Sequence, residues 1–134
     1  MKKLLLVVVF MSNLFANSYE VKLYEKIIPS VFQKGIVVVY ASKDTKEFFK
    51  NRYLFSITDD CTKADIIVGK KFEQLNSECL KKPFFTTSYR AYRKYSNSIG
   101  AFYWKKGRPQ LQFDLQKIEK YHLFLPKSLR RYSK

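Results

Sequence analysis

Two stretches decide the fold: Gly35-Ile36-Val37-Val38-Val39-Tyr40 and Asp65-Ile66-Ile67-Val68-Gly69. Each is a short, unbroken run of β-branched residues. A strand with one face in water alternates apolar and polar side chains. An unbroken apolar run instead predicts a strand covered on both faces, as in a parallel sheet.

Working outward, the elements between these runs alternate. Upstream, Val21, Leu23, Tyr24, Ile27 and Ile28 recur at helical spacing over residues 20–32, and Pro29 is expected to end or kink that helix at Ile28. Residues 45–51 read as a helix burying Phe48 and Phe49, with Asp44 and Glu47 resembling a capping box. Residues 53–58 read as a second strand, 59–64 as a turn or one helical turn, and 71–76 as a short helix carrying Phe72 and Leu75. Residues 83–88 read as a fourth strand.

The pattern then changes. Residues 98–104 predict a strand, Lys105-Lys106-Gly107-Arg108-Pro109 a turn, and Gln110-Leu111-Gln112-Phe113-Asp114-Leu115 a half-exposed strand with strict alternation. A helix over 116–121 and a last short helix from Leu125-Pro126 complete the chain. The expected fold class is therefore α/β: one layered domain, residues 17–134, with a mainly parallel four-stranded sheet, a C-terminal antiparallel hairpin and a short terminal helix.

The first residues read as an address. Lys2 and Lys3 precede the apolar run Leu4–Met11, and Ser12-Asn13-Leu14-Phe15-Ala16 supplies a more polar end with a small residue. This predicts a secretory signal peptide, residues 1–16, and a periplasmic location. The apolar run is shorter than a membrane-spanning helix needs.

The chain carries 26 Lys and Arg against 11 Asp and Glu, a net charge of +15. Two of those cations sit in the expected leader. Residues 17–80 hold ten basic and nine acidic residues, whereas residues 81–134 hold fourteen and two. The excess is thus one-sided and points to an anionic partner. For an exported protein that partner is a cell-envelope polymer, an anionic membrane surface or an acidic protein face; the address argues against nucleic acid. An alternative is a solvated basic face with no dedicated partner.

Cys61 precedes Ile66 by five residues and Cys79 precedes Phe84 by five. If both strands run parallel, both cysteines lie below the same sheet edge and come near each other. In an oxidising compartment such a pair is expected to form a disulfide, worth roughly 3 kcal/mol in the chain-entropy account. A structural staple, a redox-sensing bond and two free thiols all remain open. The spacing is not the C-x-x-C of a thiol oxidoreductase.

Motifs of catalysis are sparse. His122 is the single histidine, with neighbours that suit a packing residue. No Cys/His cluster supplies a zinc site, no G-x-S-x-G elbow accompanies a nucleophile, and no glycine-rich phosphate loop occurs among four glycines. Asp59, Asp60 and Asp65 form a local acidic group that suits a turn and a strand start better than acid–base work. The expectation is a non-enzymatic chain with no cofactor and no metal.

Rings and cations interleave twice. Tyr89, Arg90, Tyr92, Arg93 and Tyr95 form one strip; Trp104, Lys105, Lys106 and Arg108 form another at the hairpin turn. Tyr, Trp and Arg are the residue types enriched at binding hot spots. The bland alternative is an exposed sheet edge protected by charges. If the sheet instead holds a small ligand beyond its strand C-termini, the residues there are Ser42, Thr58, Asp59, Gly69 and Lys70.

The order of elements resembles the YfiR/HmsC-like family of small periplasmic proteins. The residues that carry it are Cys61 before Ile66-Ile67-Val68-Gly69, then Lys82-Pro83-Phe84-Phe85-Thr86-Thr87-Ser88. Ile99-Gly100-Ala101-Phe102-Tyr103-Trp104, Lys106-Gly107-Arg108, Leu111-Gln112-Phe113-Asp114-Leu115 and Leu125-Pro126-Lys127-Ser128-Leu129 follow. The resemblance spans residues 61–129. The N-terminal helix is shorter than the family's, a second cysteine pair of some members is missing, and Asp114 only loosely matches the polar residue after the second hairpin strand. The resemblance implies a periplasmic regulator that binds the sensory domain of an inner-membrane signalling protein, in the known case a diguanylate cyclase, and represses it. It assigns no interface residue.

Overall fold

The computed structural model describes residues 19–73 and 75–133. The expected leader, residues 1–16, lies outside them. The described chain opens in a helix, α1, residues 19–32. Tyr24, Ile27, Ile28 and Val31 are its buried residues, an i, i+3, i+4, i+7 stripe. The helix runs on past Pro29 instead of ending at Ile28. Burial of Val31 in the final turn offsets the hydrogen bond that proline cannot make, and Gln33 N–H closes that turn on the Pro29 carbonyl at 2.8 Å.

Six strands follow: β1 (Val37–Ala41), β2 (Phe55–Ile57), β3 (Ile66–Gly69), β4 (Phe84–Thr86), β5 (Ser98–Lys105) and β6 (Arg108–Phe113). They form one sheet in the order β2-β1-β3-β4-β5-β6. The first five are parallel, and β6 returns antiparallel to β5. The α/β architecture is thus as expected, with β5 itself joining the parallel set through β4. The register explains an unusually short crossover. Ile57, the end of β2, and Ile66, the start of β3, both pair with Val39, on its opposite sides. Residues 58–65 need only cross β1 at one level, and one 3-10 turn, Cys61–Lys63, suffices.

Both faces of the sheet are covered. On one, Val37, Val39, Ile66, Val68, Phe85 and Phe102 pack with α1, with Phe49 of the β1–β2 connection and with Ile118, Leu125 and Leu129 of the C-terminal part. On the other, Ile67, Phe84 and Tyr40 of the strands pack with Cys61, Cys79, Phe72, Leu75 and Tyr95 of the connections. Strand alternation separates the two sets: Ile66 and Val68 against Ile67, and Phe85 against Phe84.

The connections are tighter than expected. Residues 45–51 form only a 3-10 turn, Lys46–Phe48, and Asn51 in the left-handed region (φ 58°) ends the segment. The capping box does not form, because Ser42 Oγ donates to Asp44 Oδ1 at 2.7 Å and Thr45 makes no side-chain cap. The helix expected over 71–76 is not formed at its described residues, where Phe72 packs on Tyr40, Phe84 and Tyr95. So short a helix has no intrinsic stability to resist that packing. The strip after β4 is a helix, α2 (Tyr89–Lys94), started by Ser88, whose Oγ accepts from the Ala91 N–H at 3.0 Å. The hairpin turn is two residues long. Lys106 (φ 51°) and Gly107 (φ 77°) both take positive φ, the requirement of a type I′ turn, and Arg108 and Pro109 belong to β6. Pro109 is tolerated because β6 is an edge strand. Helix α3 (Leu115–Lys120) is capped by Asp114 and the chain ends in a 3-10 segment, Lys127–Tyr132.

Candidate functional site

The parallel strands bring their C-terminal ends to one edge: Ser42 after β1, Gly69-Lys70 closing β3, Thr87-Ser88 after β4 and Tyr103–Lys105 at the end of β5. The strand order reverses direction at β1, whose neighbours are β2 and β3. Such a switch point leaves a crevice outside the strand ends, because the connections leave in opposite directions. Two hollows open along this edge, of about 1010 and 980 Å³. They adjoin at Asp44 and Lys70 and form one trough.

The floor at the switch point is rigid. Ser42 Oγ lies 2.8 Å from Thr45 Oγ1, and Ser42 N–H donates to the Val68 carbonyl at 2.9 Å. Gly69 takes a φ of 141°, and a Cβ there would overlap the Ser42 side chain. Only glycine lets the Ser42 loop lie this close to β3. Further along, Thr87 Oγ1 is buried with no hydrogen-bond partner among the described residues. A buried hydroxyl left without a partner is costly and rare.

The walls carry rings. Trp104 Nε1 donates to Glu20 Oε1 at 2.7 Å, and Tyr24 OH donates to Glu20 Oε2 at 3.4 Å. The Trp104 ring packs on Phe102 and Tyr19. On the opposite wall, Tyr89 lies 6.0 Å from Tyr103, whose hydroxyl accepts from Gln112 Nε2. Arg93 donates to the Tyr89 hydroxyl at 3.2 Å. Burial, reinforced by the Asp114 charge, pushes the Tyr92 hydroxyl above the ordinary tyrosine range, so it stays a neutral donor. Arg131 stands over the Tyr132 ring at 4.8 Å.

The two residue sets expected from the sequence meet here in part. Ser42 and Lys70 line the trough beside Tyr89, Trp104 and Lys105, and Gly69 shapes its floor. Lys106 and Arg108 form the exposed hairpin tip above it, and Arg90 and Arg93 are exposed on α2. Thr58 and Asp59 do not line the trough: they follow β2, on the far side of β1, where Asp59 pairs with Lys46 at 3.0 Å. Tyr95 is half-buried against the smaller core, stacked on Phe84 at 4.8 Å. Tyr92 is half-buried within α2. Among the residues not foreseen are Glu20, Lys43, Lys71, Thr87, Gln110, Gln112, Arg131 and Tyr132. Lys43 and Lys71 follow the expected Ser42 and Lys70 in the chain; no local motif marks the others, which reach the trough through the strand order.

Cys61 and Cys79 form a disulfide, with Cα atoms 5.7 Å apart, each in the 3-10 turn that precedes its strand. The acidic group is dispersed into local roles. Asp65 binds Lys34 and the Val38 N–H, both at 2.8 Å, and Asp60 caps its own turn through Thr62. Asp60 is held below the usual carboxylate range by those Thr62 hydrogen bonds. Among the described residues no three His, Cys, Asp or Glu side chains gather as metal ligands. His122 is exposed rather than packed, in a left-handed turn (φ 55°) that ends α3. No helix among the described residues is long and apolar enough to cross a membrane. No family model matches the chain, and neither a curated protein nor a solved structure matches it.

Proposed function

We propose that this chain is a non-enzymatic binding and regulatory module of the periplasm, exported through residues 1–16, that binds the sensory domain of an inner-membrane signalling protein. The observation that carries the reading is the coincidence of the trough with the ring-and-cation rim of Tyr89, Trp104 and Lys105 and the exposed tip at Lys106 and Arg108. Rigid aromatics beside exposed cations suit a protein face of acidic character. The disulfide supports an oxidising compartment. The YfiR/HmsC-like resemblance supplies the kind of partner.

The test is capture from native membranes by the tagged chain. A membrane protein with a periplasmic domain is expected in the bound fraction, and its loss when Arg90, Arg93 and Arg108 are replaced together by Glu. Binding instead to anionic lipid vesicles alone, falling steeply with salt, would replace the partner reading with membrane docking. A second reading, a small-ligand site at Ser42, Gly69 and Lys70, is favoured by their place at the strand-order switch. It expects ligand-dependent melting shifts that the three arginine replacements leave unchanged.

A further inference from the structure

Resting on the binding-module reading, we infer that the trough holds an extended acidic peptide segment of the partner protein. Its reach is the first argument. The trough crosses the ends of β1, β3, β4, β5 and β6. At about 4.8 Å between neighbouring strands that is roughly 19 Å, the length of about six residues of extended chain. Its volume is the second. Each hollow alone matches the upper end of the range for small-molecule sites, about 300–1,000 Å³, and the two are joined.

Charge selects the peptide. Lys43, Lys70, Lys71, Lys105 and Arg131 line the trough, and none of them is in an ion pair among the described residues. Three carboxylates line the trough against these five cations: Glu20 accepts from Trp104 and Tyr24, Asp44 accepts from Ser42, and Glu73 stands at the end beside Lys71. Spaced cations would meet carboxylates along a chain, while the rings of Phe48, Tyr103 and Tyr132 would take the side chains between them.

The test is an anisotropy titration of the purified chain with a fluorescein-labelled peptide of alternating Glu and Leu, about six residues long. Its Lys-Leu counterpart, inorganic phosphate and polygalacturonate serve as comparison ligands. The acidic peptide is expected to bind and the basic one not. Lys70→Glu with Arg131→Glu should weaken it about tenfold or more. Both charge positions are exposed, so melting curves should be unchanged in the double variant. Equal binding of the basic peptide, or undiminished binding by the folded double variant, overturns the inference. So does stronger competition by polygalacturonate or by phosphate, which would assign the trough to a glycan or a small anion. If membrane capture depends on the three arginines but not on Lys70 and Arg131, the trough inference falls and the partner reading stands. If the peptide binds and no membrane partner is recovered, the reverse holds.

Discussion

Trp104 donates its indole N–H to Glu20 across 2.7 Å, joining positions 84 residues apart. This bond ties the start of α1 to the end of β5 and so closes one wall of the trough. Glu20 also accepts from the buried Tyr24 hydroxyl, so removing its carboxylate leaves that donor unpaired, while the exposed Trp104 N–H turns to water. Glu20→Ala is expected to cost about 1–2 kcal/mol. Trp104 is the single tryptophan, so its emission reports the wall directly. A red shift together with a lowered urea midpoint is expected; unchanged emission would show that the contact does not form in solution.

The Cys61–Cys79 bond joins the two crossovers that flank β3, and its partners are 18 residues apart. Cys79 is fully buried against Ile67 and Phe84 in the smaller of the two cores. A small core leaves the covalent link a large share of the local stability. Reduction, or Cys61→Ser with Cys79→Ser, is expected to lower unfolding free energy by about 3 kcal/mol. Urea unfolding with and without reductant measures this. A loss confined to altered peptide binding, with no change in midpoint, would assign the bond to redox sensing instead of stapling.

Gly69 and Ser42 make a clearer steric pair. Gly69→Ala places a methyl group on the Ser42 side chain and forces alanine to a φ of 141°. Both effects destabilise, by about 2–4 kcal/mol together. Ser42→Gly in the same chain removes the overlap but leaves the backbone strain. Thermal melting of the two single variants and the double should therefore show a partial rescue. Full additivity of the two losses would mean that the side chains do not meet.

The sheet was legible because its signals are local. Residues 36–40 and 65–69 announce buried parallel strands without reference to anything distant, and 110–115 announce an edge by alternation. The cysteines were readable for a related reason: each stands five residues before a parallel strand. The short helices were not legible. Residues 45–51 and 71–76 carry helical spacing, but Asp44 is taken by Ser42, Ser42 is itself held on Val68 of β3, and Phe72 packs on Phe84 of β4. The trough was half legible. Lys70 and Trp104 stood out by composition, whereas Glu20 and Arg131 come from opposite ends of the chain and meet only through the strand order. Tyr95 misled because its ring-and-cation surroundings are those of a hot spot, while its ring is spent on Phe84.

Tyr24 is expected to make stability fall at alkaline pH. Its hydroxyl is held well above the ordinary tyrosine value by burial first, and then by the Glu20 charge and hydrogen bond. The folded state therefore keeps a proton that the unfolded chain releases near pH 10. Stability from this group is complete below that pH and falls as pH rises beyond it, since the unfolded state then binds fewer protons. Tyr92 and Tyr121 are also raised by burial and add to the same slope. Urea midpoints measured from about pH 8 to pH 11.5 should decline above the tyrosine range. Tyr24→Phe should make that decline shallower while leaving the neutral-pH midpoint nearly unchanged, because the hydrogen bond it removes is long, at 3.4 Å. An identical alkaline slope in Tyr24→Phe would mean that this hydroxyl ionises in the folded state as freely as in the unfolded one, and that α1 does not seal it from water.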